Sequence, residues 1–188
     1  MSQRIRIVGF GASLRKNSYN MLLLKECKRL FPEDVDYKIL TLEGIPIYNQ
    51  DQETERPESV KIFKDEIRAS DGFVISTPEY NFSIPGFLKN ALDHAGRPPA
   101  ENPFRGKQGV IMSASLSMLG GARAQYHLRQ VMGYLDTRII NRPEVFISFA
   151  DKKFDQDGHI NDEFSLNLMK QLLGNLVEGI RKEKNIVL

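Results

Sequence analysis

Apolar and polar positions follow two rhythms along the chain, and the change from one to the other marks the elements. Arg4-Ile5-Arg6-Ile7-Val8-Gly9-Phe10 alternates and then turns apolar, which predicts a first strand. Ser18 to Phe31 predicts a first helix, with Met21, Leu22, Leu24 and Lys28 spaced as on an amphipathic surface. Val35 to Leu40 alternates again and predicts a second strand; a long connection, Glu43 to Arg56, follows. Glu58 to Ser70 predicts a second helix, with Val60, Phe63 and Ile67 on one side. Gly72-Phe73-Val74-Ile75-Ser76 is a short apolar run, a buried third strand. Pro85 to Ala95 predicts a third helix, its proline placed where a first-turn N–H would lack a partner anyway. Gly109 to Met112 is a fourth strand, Ala122 to Leu135 a fourth helix, Glu144 to Ile147 a fifth strand and Asp162 to Arg181 a closing helix.

Strands that alternate with helices imply a parallel sheet covered on both faces. Right-handed crossovers leave few topologies, and the order 2-1-3-4-5 suits this length. The expectation is therefore a three-layer sandwich with a five-stranded parallel sheet and helices on both faces. In that order the chain reverses direction between strands 1 and 3, opening a crevice at the carboxyl ends where ligands bind. The length of 188 residues fits one domain over 1–188.

Composition narrows the classes. Hydrophobic residues make up 41% and charged residues 27%, ordinary for a globular cytoplasmic protein. A net charge of +2, with scattered Lys and Arg, argues against nucleic acid as a partner. No apolar run approaches the ~20 residues of a membrane span, and the N-terminus lacks a signal-peptide apolar region. The single cysteine, Cys27, excludes an internal disulfide and reads as a core thiol among Leu23, Leu24 and Leu30.

The unusual residues follow strands 1, 3 and 4, and in a parallel sheet those three loops share one edge. Gly11 to Asn20 joins a strand to a helix start, where backbone N–H groups form an anion site. Ser13 and Ser18 add hydroxyls, Asn20 an amide and Arg15 a guanidinium suited to phosphate. Ser18 also fits as the helix cap, and the two roles can coexist. Leu14 stands where the dinucleotide fingerprint needs its third glycine, and a Walker loop is absent, so a monophosphate fits better than a pyrophosphate or nucleoside triphosphate. Thr77 to Gly86 is stiffened by Pro78, while Tyr80 and Phe82 offer flat apolar surface to an aromatic ring system. Ser113 to Gly121 is rich in small residues; Ser115 and Ser117 can face the polar edge of such a ring.

The stretches ASLRKNSYN, TPEYNFSIPGFLKNALDHA and GGARAQYHLRQ resemble those of the NAD(P)H-dependent FMN reductases, closest to the quinone, chromate and azo-dye reductase branch. The resemblance runs from about Arg4 to about Phe149 and includes all of a P-E-Y-N-x-S-x-P-G-x-L-K-N-A-x-D signature from Pro78 to Asp93. It implies a flavodoxin-like fold and non-covalent FMN. Ser13, Arg15, Ser18 and Asn20 would hold the phosphate, Pro78, Glu79, Tyr80 and Asn81 would line the isoalloxazine, and Ser115 and the following turn, with Ser117, would close its far side. It also implies NAD(P)H as co-substrate, ping-pong transfer to a small oxidised acceptor and a homodimer or homotetramer. The chain departs from the family at Ala12-Ser13, where members often have Gly-Ser, at His94, where they usually have tryptophan, and at Ser117, where many have glycine.

The flavin carries the chemistry in such a protein, so no side chain is named as catalytic. Backbone N–H groups near Tyr80 and Asn81 would stabilise charge on reduced flavin. No metal site is expected: His94, His127 and His159 lack ligand spacing, and Asp155 to Gly158 fails as a calcium loop because Lys153 and Phe164 fall on ligand positions. Arg123, Tyr126 and Arg129 recur at helical spacing as an exposed face or an interface. A flavodoxin-type electron carrier is the alternative, although such carriers are strongly acidic. A phosphoacceptor switch domain would need carboxylates at the ends of strands 1 and 3, and there are none.

Overall fold

The computed structural model describes residues 4–11, 13–15 and 17–186; Met1 to Gln3, Ala12 and Lys16, on which parts of the sequence reading fall, lie outside them. In chain order the elements are β1 (Ile5–Gly11), α1 (Tyr19–Leu30), β2 (Val35–Ile39), α2 (Glu58–Ala69), β3 (Gly72–Ser76), α3 (Gly86–Ala95), β4 (Gln108–Ala114), α4 (Ala122–Tyr134), β5 (Arg138–Ile139), β6 (Val145–Ile147) and α5 (Glu163–Ile186). The sheet is parallel with order β2-β1-β3-β4-β5, and β6 also pairs with β4.

The two faces of the sheet follow from its period of two. Ile5 and Ile7, Val74, and Val110 with Met112 point to one face, where Leu23, Leu24 and Cys27 of α1 and Met169, Leu172 and Leu176 of α5 cover them. Val8 and Phe10, Phe73 and Ile75, and Ile111 point to the other, beneath Phe63 and Ile67 of α2, Leu88 and Leu92 of α3 and Leu128 and Met132 of α4. The rings of Phe10 and Phe63 meet edge to face at 5.2 Å, and Phe104 packs against Phe73 at the same centroid distance. The expected three-layer sandwich is thus observed.

One expectation needs correction. The strand expected at Glu144 to Ile147 is found as β6, paired with the end of β4, and an additional two-residue strand that the sequence did not show, β5, precedes it and pairs with the start of β4. Pro143 lies between them and has no N–H to donate to a ladder, so the strand cannot run through. A two-residue strand such as β5 is also too short to carry an alternating pattern.

Cys27 and Lys64 are buried titratable groups away from the loop edge. Cys27 is fully buried and donates Sγ–H to the Leu23 carbonyl at 3.1 Å. Burial, with the neighbouring Glu26 carboxylate adding to it, pushes its thiol far above the ordinary range. Lys64 of α2 is 1% exposed and donates to the Arg97 carbonyl at 2.5 Å. Burial, reinforced by the charge of Arg56, brings its ammonium down to about 8.

Candidate functional site

The loops after β1, β3 and β4 converge at the carboxyl edge of the sheet, and direct contacts join them. Gly11 ends β1 with φ of +106°, and a Cβ there would fall 2.8 Å from the Ser76 carbonyl oxygen. Only glycine admits the chain to the loop in this conformation. Ser13 Oγ then accepts the Arg15 N–H at 3.1 Å and lies 3.4 Å from the Tyr80 hydroxyl of the loop after β3. Ser18 is the N-cap of α1: it is buried, and Oγ accepts the Met21 N–H at 3.4 Å. Arg15 is exposed, its guanidinium 5.9 Å from the Tyr19 ring, and no acidic residue stands in the first turn of α1. That helix start is therefore free to favour an anion.

Asn20 points inward. It is 3% exposed, and its Oδ1 accepts both the Ser76 hydroxyl at 3.0 Å and the Ala114 N–H at 2.9 Å. Its Nδ2 donates to the Ala114 carbonyl at 2.9 Å. The carboxamide thus ties α1 to the ends of β3 and β4, across 94 residues of sequence.

The loop after β3 makes a tight turn in which Tyr80 and Ser83 exchange both backbone hydrogen bonds, at 2.9 and 3.0 Å. Its two central residues, Asn81 and Phe82, have φ of +50° and +65°. Asparagine tolerates that region, whereas phenylalanine is a costly occupant, by about 1 kcal/mol or more. The strained turn keeps Tyr80 and Phe82 exposed, at 48% and 64%. Pro78, half-buried, accepts the Thr77 hydroxyl through its carbonyl.

Glu79 is directed to α4. Its Oε1 accepts Arg123 Nε at 2.8 Å, while Oε2 accepts the backbone N–H groups of Arg123 at 3.1 Å and Ala124 at 3.4 Å. The carboxylate caps the α4 start, and the macrodipole favours its charge there. Arg123 in turn lies over the Phe82 ring, 3.7 Å from its centroid. His127, one turn further on, meets Ser83 Oγ at 3.0 Å.

The loop after β4 is clipped to the segment after β6. Ser115 N–H donates to the Ile147 carbonyl, Ala150 N–H to the Ser115 carbonyl and Phe149 N–H to the Ser117 carbonyl. Ser115 and Ser117 hydroxyls are 3.1 Å apart. Gly121 has φ of +89°, and a Cβ there would meet Ser113 at 2.8 Å. Gln125, fully buried, was not singled out by sequence. Its Nε2 donates to Ser113 Oγ at 2.7 Å and to the Val145 carbonyl at 2.8 Å, and Ser113 passes its own hydroxyl proton bond to the Gly120 carbonyl at 2.6 Å. Among the described residues Gln125 Oε1 has no hydrogen-bond partner. A polar residue at i−3 to the buried Leu128 and i−7 to Met132 was the available signal.

Among the described residues no group of three or more His, Cys, Asp or Glu could hold a metal ion, and no helix is long and apolar enough to cross a membrane. The three histidines have separate partners: Pro46 carbonyl for His94, Ser83 for His127 and Glu26 for His159. Asp155 Oδ1 accepts the N–H groups of Asp157 and His159, which makes that segment a turn.

Hydroxyls, a guanidinium and an acid-free helix start on one side, and exposed aromatic surface on a stiff turn on the other, suit a phosphorylated group bearing a flat ring. The comparisons concern a family that uses such a group. A family model described as NADPH-dependent FMN reductase matches residues 5–152. The chain is 43% identical over 183 residues to an NAD(P)H-dependent FMN reductase of Pseudomonas aeruginosa, covering 97% of this chain and 98% of that protein. It is 37% identical over 188 residues to a quinone reductase of Escherichia coli K12, covering 98% and 100%. A solved structure of a flavoenzyme NAD(P)H:(acceptor) oxidoreductase from Paracoccus denitrificans is similar with a TM-score of 0.87 at 32% identity, covering 95% and 98% of the two chains.

Proposed function

The chain belongs to the NADPH-dependent FMN reductase family, and from that premise we propose that it is an FMN-dependent NAD(P)H:quinone reductase, one flavin-binding domain across 1–188. The reaction is NAD(P)H + H⁺ + quinone → NAD(P)⁺ + hydroquinone. Bound FMN would accept a hydride and return two electrons, which is chemistry that amino-acid side chains do not supply.

The observation that carries this reading is the meeting of the three rim segments through the Ser13–Tyr80 and Glu79–Arg123 contacts. Ser13, Arg15 and Ser18, with the start of α1, would hold the phosphate. Pro78, Glu79, Tyr80 and Asn81 would line the ring, with the Asn81 N–H facing developing negative charge, because the Tyr80 N–H expected to share that role is committed to the Ser83 carbonyl. Ser115 and Ser117 would close the far side. Asn20 keeps these loops in register. A single open face would serve donor and acceptor in turn, which gives ping-pong kinetics. Chromate and azo compounds are further acceptors under this reading, and the working form is a homodimer or homotetramer.

The test is optical. Protein purified and mixed with FMN should retain flavin absorption through gel filtration, lose it on anaerobic addition of NADPH, and regain it on addition of a quinone. A protein that leaves FMN free, or whose bound flavin NADPH cannot bleach, contradicts the proposal.

A further inference from the structure

Between α2, the segment that leads into it and the turn after α3 lies a cavity of about 650 Å³, lined mostly by charged side chains and sharing no residue with the rim assigned to FMN. We propose that it is an anion site, in which Lys61 and Lys64 bind the phosphate group of a free phosphate ion or of a small phosphate ester. The site is separate from the reductase reading and does not depend on it.

Three features lead there. First, Lys64 lines the cavity at its floor with donors to spare. It is 1% exposed, and among the described residues its ammonium has one acceptor, the Arg97 carbonyl at 2.5 Å. An ammonium carries three donors, and lysine is rarely buried this far unless it is paired. Second, the cavity has a surplus of positive charge. Glu101 is spent on Arg56 at 2.5 Å and Asp65 on Arg68, while Glu53 accepts the Tyr48 hydroxyl. Glu53 alone is then left against two ammoniums, Lys64 and the exposed Lys61, which among the described residues has no partner. Third, the cations are crowded on one face of α2. Lys61, Lys64 and Arg68 follow one another at spacings of three and four, where like charges repel. Burial and the charges of Arg56 and Arg68 outweigh Glu101 and Glu53 at Lys64 and bring its ammonium down to about 8. A bound dianion reverses that balance, because an opposite charge favours the ammonium. The oxygens of phosphate suit the idle Lys64 donors and the Lys61 ammonium together, in charge-assisted hydrogen bonds.

The experiment is equilibrium dialysis of the protein against radiolabelled inorganic phosphate at neutral pH, with excess FMN to fill the rim and sodium chloride holding the ionic strength at about 0.15 M. Saturable uptake of a single phosphate per chain is expected. In Lys64→Met the affinity should fall about tenfold or more, the loss expected for one charge-assisted hydrogen bond. Lys61→Gln, an exposed change that leaves the buried packing alone, should weaken binding as well, and Arg15→Ala should not. Displacement of the label by glycerol phosphate extends the site to esters, and displacement by unlabelled phosphate alone confines it to the free ion. Three outcomes overturn the inference. Uptake that does not saturate makes the attraction a diffuse one between counterions and surface charge. Unchanged affinity in either lysine variant removes that lysine, and with it the site as drawn. Binding lost in Arg15→Ala and kept in the lysine variants places the phosphate on the rim.

Discussion

Replacing Asn20 with alanine separates the two roles that its position allows. The carboxamide makes three hydrogen bonds, to Ser76 Oγ and to the N–H and carbonyl of Ala114, and both partners are buried. Alanine leaves three polar groups at the ends of β3 and β4 without their partner. Each costs about 1–3 kcal/mol when it stays dry. Ser76 can rotate toward another acceptor and the loops can relax, so the low end of the sum, about 3 kcal/mol, is the expected loss. For a chain of this size that lowers Tm by roughly 6–12 °C. The assay is urea unfolding of the FMN-free protein followed by far-UV circular dichroism, which suits a chain without tryptophan. Omitting FMN removes any stabilisation by bound cofactor. The midpoint should fall with an unchanged slope. FMN affinity should fall as well, because the loops lose their common tie. If Asn20→Ala leaves the FMN-free protein within about 0.5 kcal/mol of the parent and weakens only FMN binding, then Asn20 is a phosphate ligand and the argument from its burial is wrong.

Arg15→Ala should weaken FMN about tenfold while leaving the unfolding midpoint of the FMN-free protein in place, since the side chain is exposed; a flavin titration with unchanged affinity would remove Arg15 from the phosphate site. Gly11→Ala places a Cβ 2.8 Å from the Ser76 carbonyl at φ of +106° and should cost about 1–3 kcal/mol; a variant as stable as the parent in urea would show that β1 can leave the sheet another way. Lys64→Met tests the buried ammonium. Its pKa is about 8 in the folded chain against 10.5 ordinarily, so the folded state binds fewer protons between those values and the parent gains stability as pH rises through them. The penalty is full below about 8, so relative to Lys64→Met the parent should gain up to about 3 kcal/mol between pH 8 and 10.5. A gap between the two proteins that does not change with pH would count against a depressed ammonium.

Most of the fold was legible because long elements repeat their signal. Val60, Phe63 and Ile67 mark α2 three times over, and the run Phe73-Val74-Ile75 has no polar face to confuse it. β5 was not legible: two residues hold no period, and their place beside Gln108 and Gly109 is set by neighbours distant in sequence. The loops after β1, β3 and β4 were found from residue type and chain position together. What sequence did not reveal is where each side chain points. Asn20 and Glu79 belong to polar loop signatures, yet one turns into the sheet ends and the other onto α4. Both orientations depend on backbone groups contributed by residues 44 to 94 positions away. Gln125 stayed hidden for the same reason, since its donors serve Ser113 and Val145.

The sealed sulfur has a consequence for durability. Quinones arylate thiolates, and reduced flavin that meets oxygen releases peroxide, which oxidises them. Cys27 is the chain's one candidate for either injury, and it is both closed off from solvent and kept in its unreactive protonated form. Repeated turnover in the presence of its own electrophiles should therefore leave this protein unmarked at its one thiol, with the methionine thioethers the sulfur left open to oxidation.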